Sequence, residues 1–357
     1  MNIRDRKIYY ALMTLIGLMG ILTSCHREEI PNDPQQSETP ISFTPNSDWP
    51  TLTKSTIFDE TGYLYGEPDD LAGDGIVVWG SVDGTYVFGE NGTTAEHTPN
   101  GNSIVWDYWT TSEQKYWRPG TYTFASVLPA SAFATVNPIN TTDTYTATWS
   151  NDYTTLSFNP AFNLSTDQID LMIAHASKEY TSAHMNGTEE IGSVNLSFSH
   201  TLALLNITLT NGLGSESTIT VNSIKLYGNH ASASAYDSYD LEWTFAQEAG
   251  SDNPYFTKEF TECNTSDTTP VSLMENLLVF PESTTLTIEV CYKENWKGVA
   301  SKPITRKAEV PVEWSAGNQY TYPLKVTQSG VVLMGEPSVS PWPNDVTQAG
   351  NDIEIKN

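Results

Sequence analysis

The chain has 357 residues, a formal net charge of −26 and only 17 lysines and arginines. A single hydrophobic core rarely grows to this length, so two domains of ordinary size are expected. A strongly acidic chain without a basic stripe is repelled by phosphate backbones, which excludes nucleic acid as a partner. The 18 Tyr, 12 Phe and 10 Trp residues favour a mainly β fold, because aromatic side chains suit a pleated, half-buried surface.

The N-terminus has the pattern of a bacterial export signal. Three basic residues precede an apolar run at 8–22, which is short for a membrane-spanning helix but typical of a signal peptide. The run ends in Leu-Thr-Ser-Cys at 22–25, which resembles a lipobox. We therefore predict a signal peptide at 1–24, lipidation of Cys25 and attachment to the outer membrane through the lipid, at the cell surface.

Residues 25–40 are polar and proline-rich, as expected of a tether between the lipid and the folded body. From Ile41 onward, short apolar segments alternate with Gly, Asn, Asp and Pro clusters, a spacing that favours β-sandwiches. We predict an N-terminal sandwich at 41–190 and a C-terminal one at 191–357. The stretch 167–176 fits a strand or a short helix equally well.

Two further segments show a clear alternation of apolar and polar residues. Residues 194–209 change phase midway, which predicts a long strand with a bulge or bend. In 286–292 the even-numbered side chains are apolar, which predicts one buried and one solvated face.

Cys263 and Cys291 are the two cysteines of the mature chain other than Cys25. The compartment is oxidising enough for a bridge, but Cys291 lies on the polar face of its predicted strand. The sequence leaves their pairing open.

The sequence lacks the residue patterns of common enzymes. It contains no His-Glu-x-x-His zinc motif, no Gly-x-Ser-x-Gly elbow and no phosphate-binding Gly-rich loop. His200 falls in the apolar phase of a strand and is read as a structural histidine. We predict no catalytic residues, no metal site and no cofactor.

An aromatic cluster at 106–117 is the one stretch that suits ligand binding, because aromatic faces stack on sugar rings. Core packing and turn anchoring are the simpler explanation of the same residues. The candidate ligand aromatics are Trp106, Trp109 and Trp117.

Several short sequence motifs, taken in chain order, resemble those of the fimbrillin-like family of Bacteroidetes, the subunits of type V pili. They are the lipobox, Ile-Ser-Phe at 41–43, a basic residue in Thr-Leu-Thr-Lys-Ser at 51–55, Val-Asn-Leu-Ser-Phe-Ser-His-Thr-Leu at 194–202, Leu-Val-Phe-Pro at 278–281, Trp-Ser-Ala-Gly-Asn-Gln-Tyr at 314–320, and Val-Ser-Pro-Trp at 339–342.

The resemblance implies an all-β protein of two tandem transthyretin-like Greek-key β-sandwich domains. It also implies assembly by strand exchange: a trypsin-like protease removes the first strand, and an extended segment of a neighbouring subunit fills the groove. Such a groove offers unpaired backbone groups and an open apolar surface, and a donor strand satisfies both.

Lys54 is the processing site that the resemblance implies, and it is the only basic residue between Arg27 and Lys115. The family usually has Arg at this point, so an uncut copy would stay tethered through Cys25. A solvated loop lysine is the alternative interpretation of Lys54. The donor-strand candidates lie near the C-terminus, where they also suit the last strands of their own domain: Val331, Leu333, Val339, Ile353 and Ile355.

The predicted function is therefore a structural or accessory subunit of a cell-surface pilus that mediates adhesion, with other pilin subunits as partners. The alternative is a surface lipoprotein that does not polymerise and binds host protein or glycan through its aromatic residues.

Overall fold

A computed structural model describes residues 39–45, 76–90, 92–100, 103–108, 114–128, 130, 145–247, 249–250, 254–265 and 269–341. This part of the chain is built from strands and turns, with one short helix, α1 (Ser182–Met185). The predicted all-β fold is confirmed. In the described residues no helix is long and apolar enough to cross a membrane.

The strands of the N-terminal half are β1 (Phe43–Pro45), β2 (Ile76–Val82), β3 (Thr85–Tyr86), β4 (Thr93–Asn100), β5 (Ser103–Tyr108), β6 (Gly120–Leu128), β7 (Thr146–Trp149), β8 (Thr155–Asn163), β9 (Met172–Tyr180), β10 (Val194–Leu196) and β11 (Ser199–His200).

Those of the C-terminal half are β12 (Ala203–Asn211), β13 (Ser217–Tyr227), β14 (Ser232–Asp237), β15 (Glu242–Phe245), β16 (Phe256–Thr265), β17 (Val271–Val279), β18 (Ser283–Trp296), β19 (Val299–Ala300), β20 (Ile304–Glu313), β21 (Asn318–Thr327), β22 (Gly330–Leu333) and β23 (Ser338–Pro341).

These strands form four sheets. The first sheet has the order β10-β1-β5-β4-β2-β6-β9-β11, with β3 beside β2, and the second has the order β15-β14-β8-β7. The third sheet runs β17-β12-β21, with β22 and β23 on the free side of β21. The fourth runs β16-β13-β18, continued by β19 and β20.

The first sheet curls until its two ends meet. Its outermost strands, β10 and β11, are consecutive segments of the chain at 194–200, so the two ends of the sheet must lie close together. Alternate residues then face different interiors: Ile76 and Val78 point into an inner core, and Val77 and Trp79 point the other way.

A second, larger core runs from the outer side of the first sheet through the other three sheets. Trp243 belongs to this core. The indole is stacked on Phe158 and Phe162, its ring centroid is 4.8 Å from that of Phe280, and its Nε1–H donates to the carbonyl of Thr201 at 3.0 Å. Trp243 therefore joins strands of both halves at the place where the halves meet, here called the junction.

Strands from both sides of the predicted boundary at 190/191 share sheets. β10 and β11 hydrogen bond with β1 and β9 in the first sheet, and β14 pairs with β8 in the second. The division of the chain into two tandem domains at this boundary stays a prediction.

Cys263 and Cys291 are free thiols. They lie on β16 and β18, the two neighbours of β13, so about two strand spacings of 4.8 Å separate their backbones. That separation exceeds the Cα–Cα range of a disulfide. Cys263 is buried in the core and has a raised pKa, chiefly because burial disfavours the thiolate.

Candidate functional site

β1 lies inside the first sheet, with a neighbour on each side. It pairs in parallel with β10, where Phe43 is opposite Val194, and antiparallel with β5, where Phe43 is opposite Trp106. Removing β1 would leave both neighbouring strands with unpaired N–H and C=O groups, which is the geometry of a strand-acceptor groove.

The residues just before β1 are held by backbone hydrogen bonds to a second segment. The amide of Ile41 donates to the carbonyl of Lys115 at 2.8 Å, and the amide of Trp117 donates to the carbonyl of Thr39 at 3.2 Å. On the other side, the amide of Val194 donates to the carbonyl of Ser42 at 2.7 Å. The segment 39–45 is thus a fixed part of the sheet.

Two side chains of this segment fill the inner core. Ile41 is 0% exposed and Phe43 is 3% exposed. The ring of Phe43 contacts Phe124 edge-on, with centroids 5.5 Å apart, and lies 6.0 Å from Phe88. Burial of each side chain stabilises the folded state by about 1.5–3 kcal/mol. These two side chains therefore hold β1 in the sheet, although its three residues form only a short hydrogen-bonded ladder.

The described donor-strand candidates lie along one edge of the third sheet. β22 and β23 both pair with β21, at its end and its beginning respectively. Val331 is buried in the core and Leu333 packs against it, whereas Val339 is 57% exposed. All four residues of β23 are exposed, so this segment is held to its own domain mainly by backbone pairing.

Trp117 is a core residue. It is 1% exposed, it lies 4.7 Å from Tyr122 in an edge-on contact, and it stacks on Tyr180 at 5.8 Å with nearly parallel rings. Because its ring is covered by these neighbours, it has no free face for a sugar.

The remaining predicted site residues fall outside the described part of the chain: Cys25, Lys54, Trp109, Ile353, Ile355 and the side chain of Trp106. Their roles stay predictions.

His200 and His184 have structural partners. His200 Nδ1 lies 3.0 Å from Asp170, and His184 accepts from the amide of Thr181 at 3.0 Å at the start of α1. In that part of the chain no group of three His, Cys, Asp or Glu residues is arranged to hold a metal ion.

A half-buried acid–imidazole pair was not predicted from the sequence. His230 follows β13 and Glu282 precedes β18, so both lie at the junction. Glu282 accepts from the amide of His230 at 3.0 Å and contacts its Nδ1 at 2.7 Å. The imidazole stacks on Phe245 with centroids 3.7 Å apart. The pKa of Glu282 is raised because burial disfavours its charged form, an effect that the hydrogen bonds from His230 only partly offset.

The raised pKa of Glu282 predicts a specific pH dependence. A carboxyl whose pKa is higher in the folded state stabilises the fold below its ordinary pKa, and this contribution is lost as the pH rises through the folded-state value. The stability of wild type relative to Glu282→Gln should therefore fall as the pH rises from the ordinary pKa of a glutamate to the raised pKa of Glu282. Urea unfolding of both proteins at a series of pH values measures this difference, and Glu242→Gln, at an exposed position of β15, is the matched control.

The fold and the inserted strand define a class of protein: an all-β, sandwich-type chain whose first strand lies between two later strands. Among solved structures, a fimbrial protein from Bacteroides vulgatus has a TM-score of 0.51 at 17% identity, covering 85% of this chain and 99% of that one. No curated protein sequence matches the chain.

The chain belongs to the fimbrillin-like family, whose model matches residues 71–342. Two further solved structures are similar at lower TM-scores. The fimbrial anchor protein Mfa2 from Porphyromonas gingivalis has a TM-score of 0.36 and 11% identity, covering 85% of this chain and 97% of its own. A fimbrial assembly protein from Parabacteroides distasonis has a TM-score of 0.33 and 14% identity, with coverages of 78% and 94%.

Proposed function

We propose that this protein is a structural or accessory subunit of a cell-surface fimbrium that mediates adhesion and is assembled by protease-triggered strand exchange. Its precursor is exported by the segment 1–24 and anchored in the outer membrane through a lipid on Cys25. The protein acts by binding other subunits and not as an enzyme.

The position of β1 is the observation that supports this proposal. β1 ends at Pro45 and the next described strand begins at Ile76, so Lys54 lies in the chain between them. A cut after Lys54 would leave β1 joined to the rest of the protein only by hydrogen bonds and by the buried Ile41 and Phe43. Loss of the cut segment would open a groove between β5 and β10.

The C-terminal edge supports the donor half of the exchange. A donor must leave its own domain at small cost and present alternate apolar side chains. β23 is exposed along its whole length and carries Val339, while β22 contributes the apolar Val331 and Leu333. Within the segment 330–341, β23 meets the first condition and β22 the second, and release of β22 would also withdraw Val331 from the core.

Limited proteolysis tests the proposal. A protease that cuts after Lys and Arg should give a first product with Ser55 at its N-terminus, followed by a ladder of oligomers that survives detergent. Lys54→Ala should prevent both, whereas Lys258→Ala, at an exposed lysine on β16, should change neither. Wild type that is cut after Lys54 and stays monomeric would overturn strand exchange.

A further inference from the structure

Two hairpins of the chain expose large apolar side chains together with opposite charges. The first, called the acidic hairpin, comprises residues 237–242 between β14 and β15. Its Tyr239 is 84% exposed and its Leu241 is 63% exposed. Leu241 also has a φ of 59°, a left-handed conformation that is unfavourable for a branched side chain.

The charged side chains of the acidic hairpin are all negative. The hairpin carries Asp237, Asp240 and Glu242, and Asp152 lies beside it, because the amide of Ser238 donates to the carbonyl of Thr154 at 2.8 Å. The pKa of Asp152 is lowered by hydrogen bonds from Ser150 and Thr154, so it stays ionised. The four strands of the second sheet contain no Lys or Arg.

The second hairpin, called the basic hairpin, comprises residues 293–302 and joins β18 to β19. Trp296 is 53% exposed and Val299 is 72% exposed. Lys297 lies with its Nζ 4.9 Å from the Trp296 ring centroid and 3.0 Å from Glu216. Residues 293–307 contain five of the 17 basic residues of the chain and one acid, Glu294.

The basic hairpin closes the end of the fourth sheet that is remote from the junction. β18 starts at Ser283, next to the junction residue Glu282, and its 14 residues place Trp296 about 45 Å further on.

The acidic hairpin adjoins the junction, because Glu242 directly precedes Trp243 and Asp237 directly follows Tyr236, which pairs with Trp243. β14 begins at Ser232, paired with Asn163 beside the junction, and ends at Asp237, paired with Thr155. Because about 45 Å of β18 separates Trp296 from the junction, the two hairpins of one molecule cannot contact each other, and a contact between them joins two molecules.

We infer that the acidic hairpin of one copy docks on the basic hairpin of a second copy. Tyr239 and Leu241 would pack against Trp296 and Val299, while Asp240 and Glu242 face Lys297 and Lys302. The two surfaces differ, so the contact is head-to-tail and extends into open chains instead of closing as a symmetric dimer. This contact is separate from the β1 groove and needs no proteolysis.

Sedimentation velocity of the full, uncut chain in a Lys54→Ala background tests this inference with strand exchange blocked. At low ionic strength the protein should sediment as a concentration-dependent series of oligomers. In about 1 M salt, where the screening length is about 3 Å, the average sedimentation coefficient should fall toward that of the monomer. A protein that is monomeric at low ionic strength up to the highest soluble concentration overturns the inference.

Charge exchange identifies the surfaces. Asp240→Lys with Glu242→Lys makes both hairpins basic, and Lys297→Glu with Lys302→Glu makes both acidic, so each double variant should be monomeric alone. An equimolar mixture of the two should associate again, because each contact then joins opposite charges. A mixture that stays monomeric, or single preparations that still associate, overturns the assignment.

Matched controls separate this effect from net charge and from misfolding. Glu309→Lys with Glu313→Lys on β20, and Lys225→Glu with Lys258→Glu on β13 and β16, change the total charge equally and should associate like wild type. All variants should keep the wild-type circular dichroism spectrum. Tyr239→Ser, which removes an apolar contact and no charge, should weaken association at every salt concentration.

Discussion

A double variant, Ile41→Asp with Phe43→Asp, is expected to assemble into ladders without any protease. Both side chains are buried in the inner core, where an unpaired carboxylate costs several kcal/mol. The variant also loses the roughly 1.5–3 kcal/mol that each apolar side chain contributes. The short β1 ladder is too weak to offset both losses, so the groove should open while the chain is intact.

Detergent-resistant ladders of the uncut double variant on a gel are the measurement, with circular dichroism to show that it is folded. Ser42→Asp is the matched control, because residue 42 alternates with the two buried positions and is only half-buried. The control should form no detergent-resistant ladder until it is cut. A folded double variant that never forms ladders would argue against β1 as the strand that closes the groove.

Trp243→Ala is expected to lower the free energy of unfolding by about 3–5 kcal/mol, the usual cost of truncating a large buried aromatic residue. The indole packs on aromatic rings of β8 and of the segment after β17, and its hydrogen bond to Thr201 ties β15 to the link between β11 and β12. Its loss should therefore weaken both halves of the molecule together.

Urea unfolding followed by circular dichroism measures this change. Trp296→Ala removes the same side chain from an exposed position and should shift stability by no more than about 0.5 kcal/mol. Trp243→Phe should fall between the two, since it keeps a ring and loses the donor. Equal effects of the two alanine substitutions would contradict the role given to the Trp243 cluster.

The position of a strand, and which of its side chains point into the core, could be predicted where one face of the strand is buried. In β18 the predicted alternation holds: Leu286, Ile288, Val290 and Tyr292 are buried, and the residues between them are not. The single long strand predicted at 194–209 is wrong: the chain forms three strands there, β10, β11 and β12, because it passes from one end of the first sheet to the other and then into the third sheet. Of the ambiguous stretch 167–176, the part from Met172 is strand.

Pairing between distant strands could not be predicted, because periodicity gives the face of a strand and not its neighbour. The parallel contact of β1 with β10 joins residues about 150 positions apart along the chain, and β14 pairs with β8 across the predicted domain boundary. The junction residues Trp243, His230 and Glu282 were missed for the same reason. The two exposed hairpins can be recognised from short turn motifs in the sequence, Lys-Gly at 297–298 and Asp-Ser-Tyr-Asp at 237–240.

Disulfide trapping between two copies is the most direct test of strand exchange. One copy carries Asn195→Cys, at the exposed position of β10 that faces Thr44 of β1, and the other carries Val339→Cys on β23, both with the native cysteines replaced. A heterodimer should form under mild oxidation only after cleavage following Lys54. No heterodimer after cleavage, or the same yield without it, would contradict the claim that a neighbour's C-terminal segment takes the place of β1.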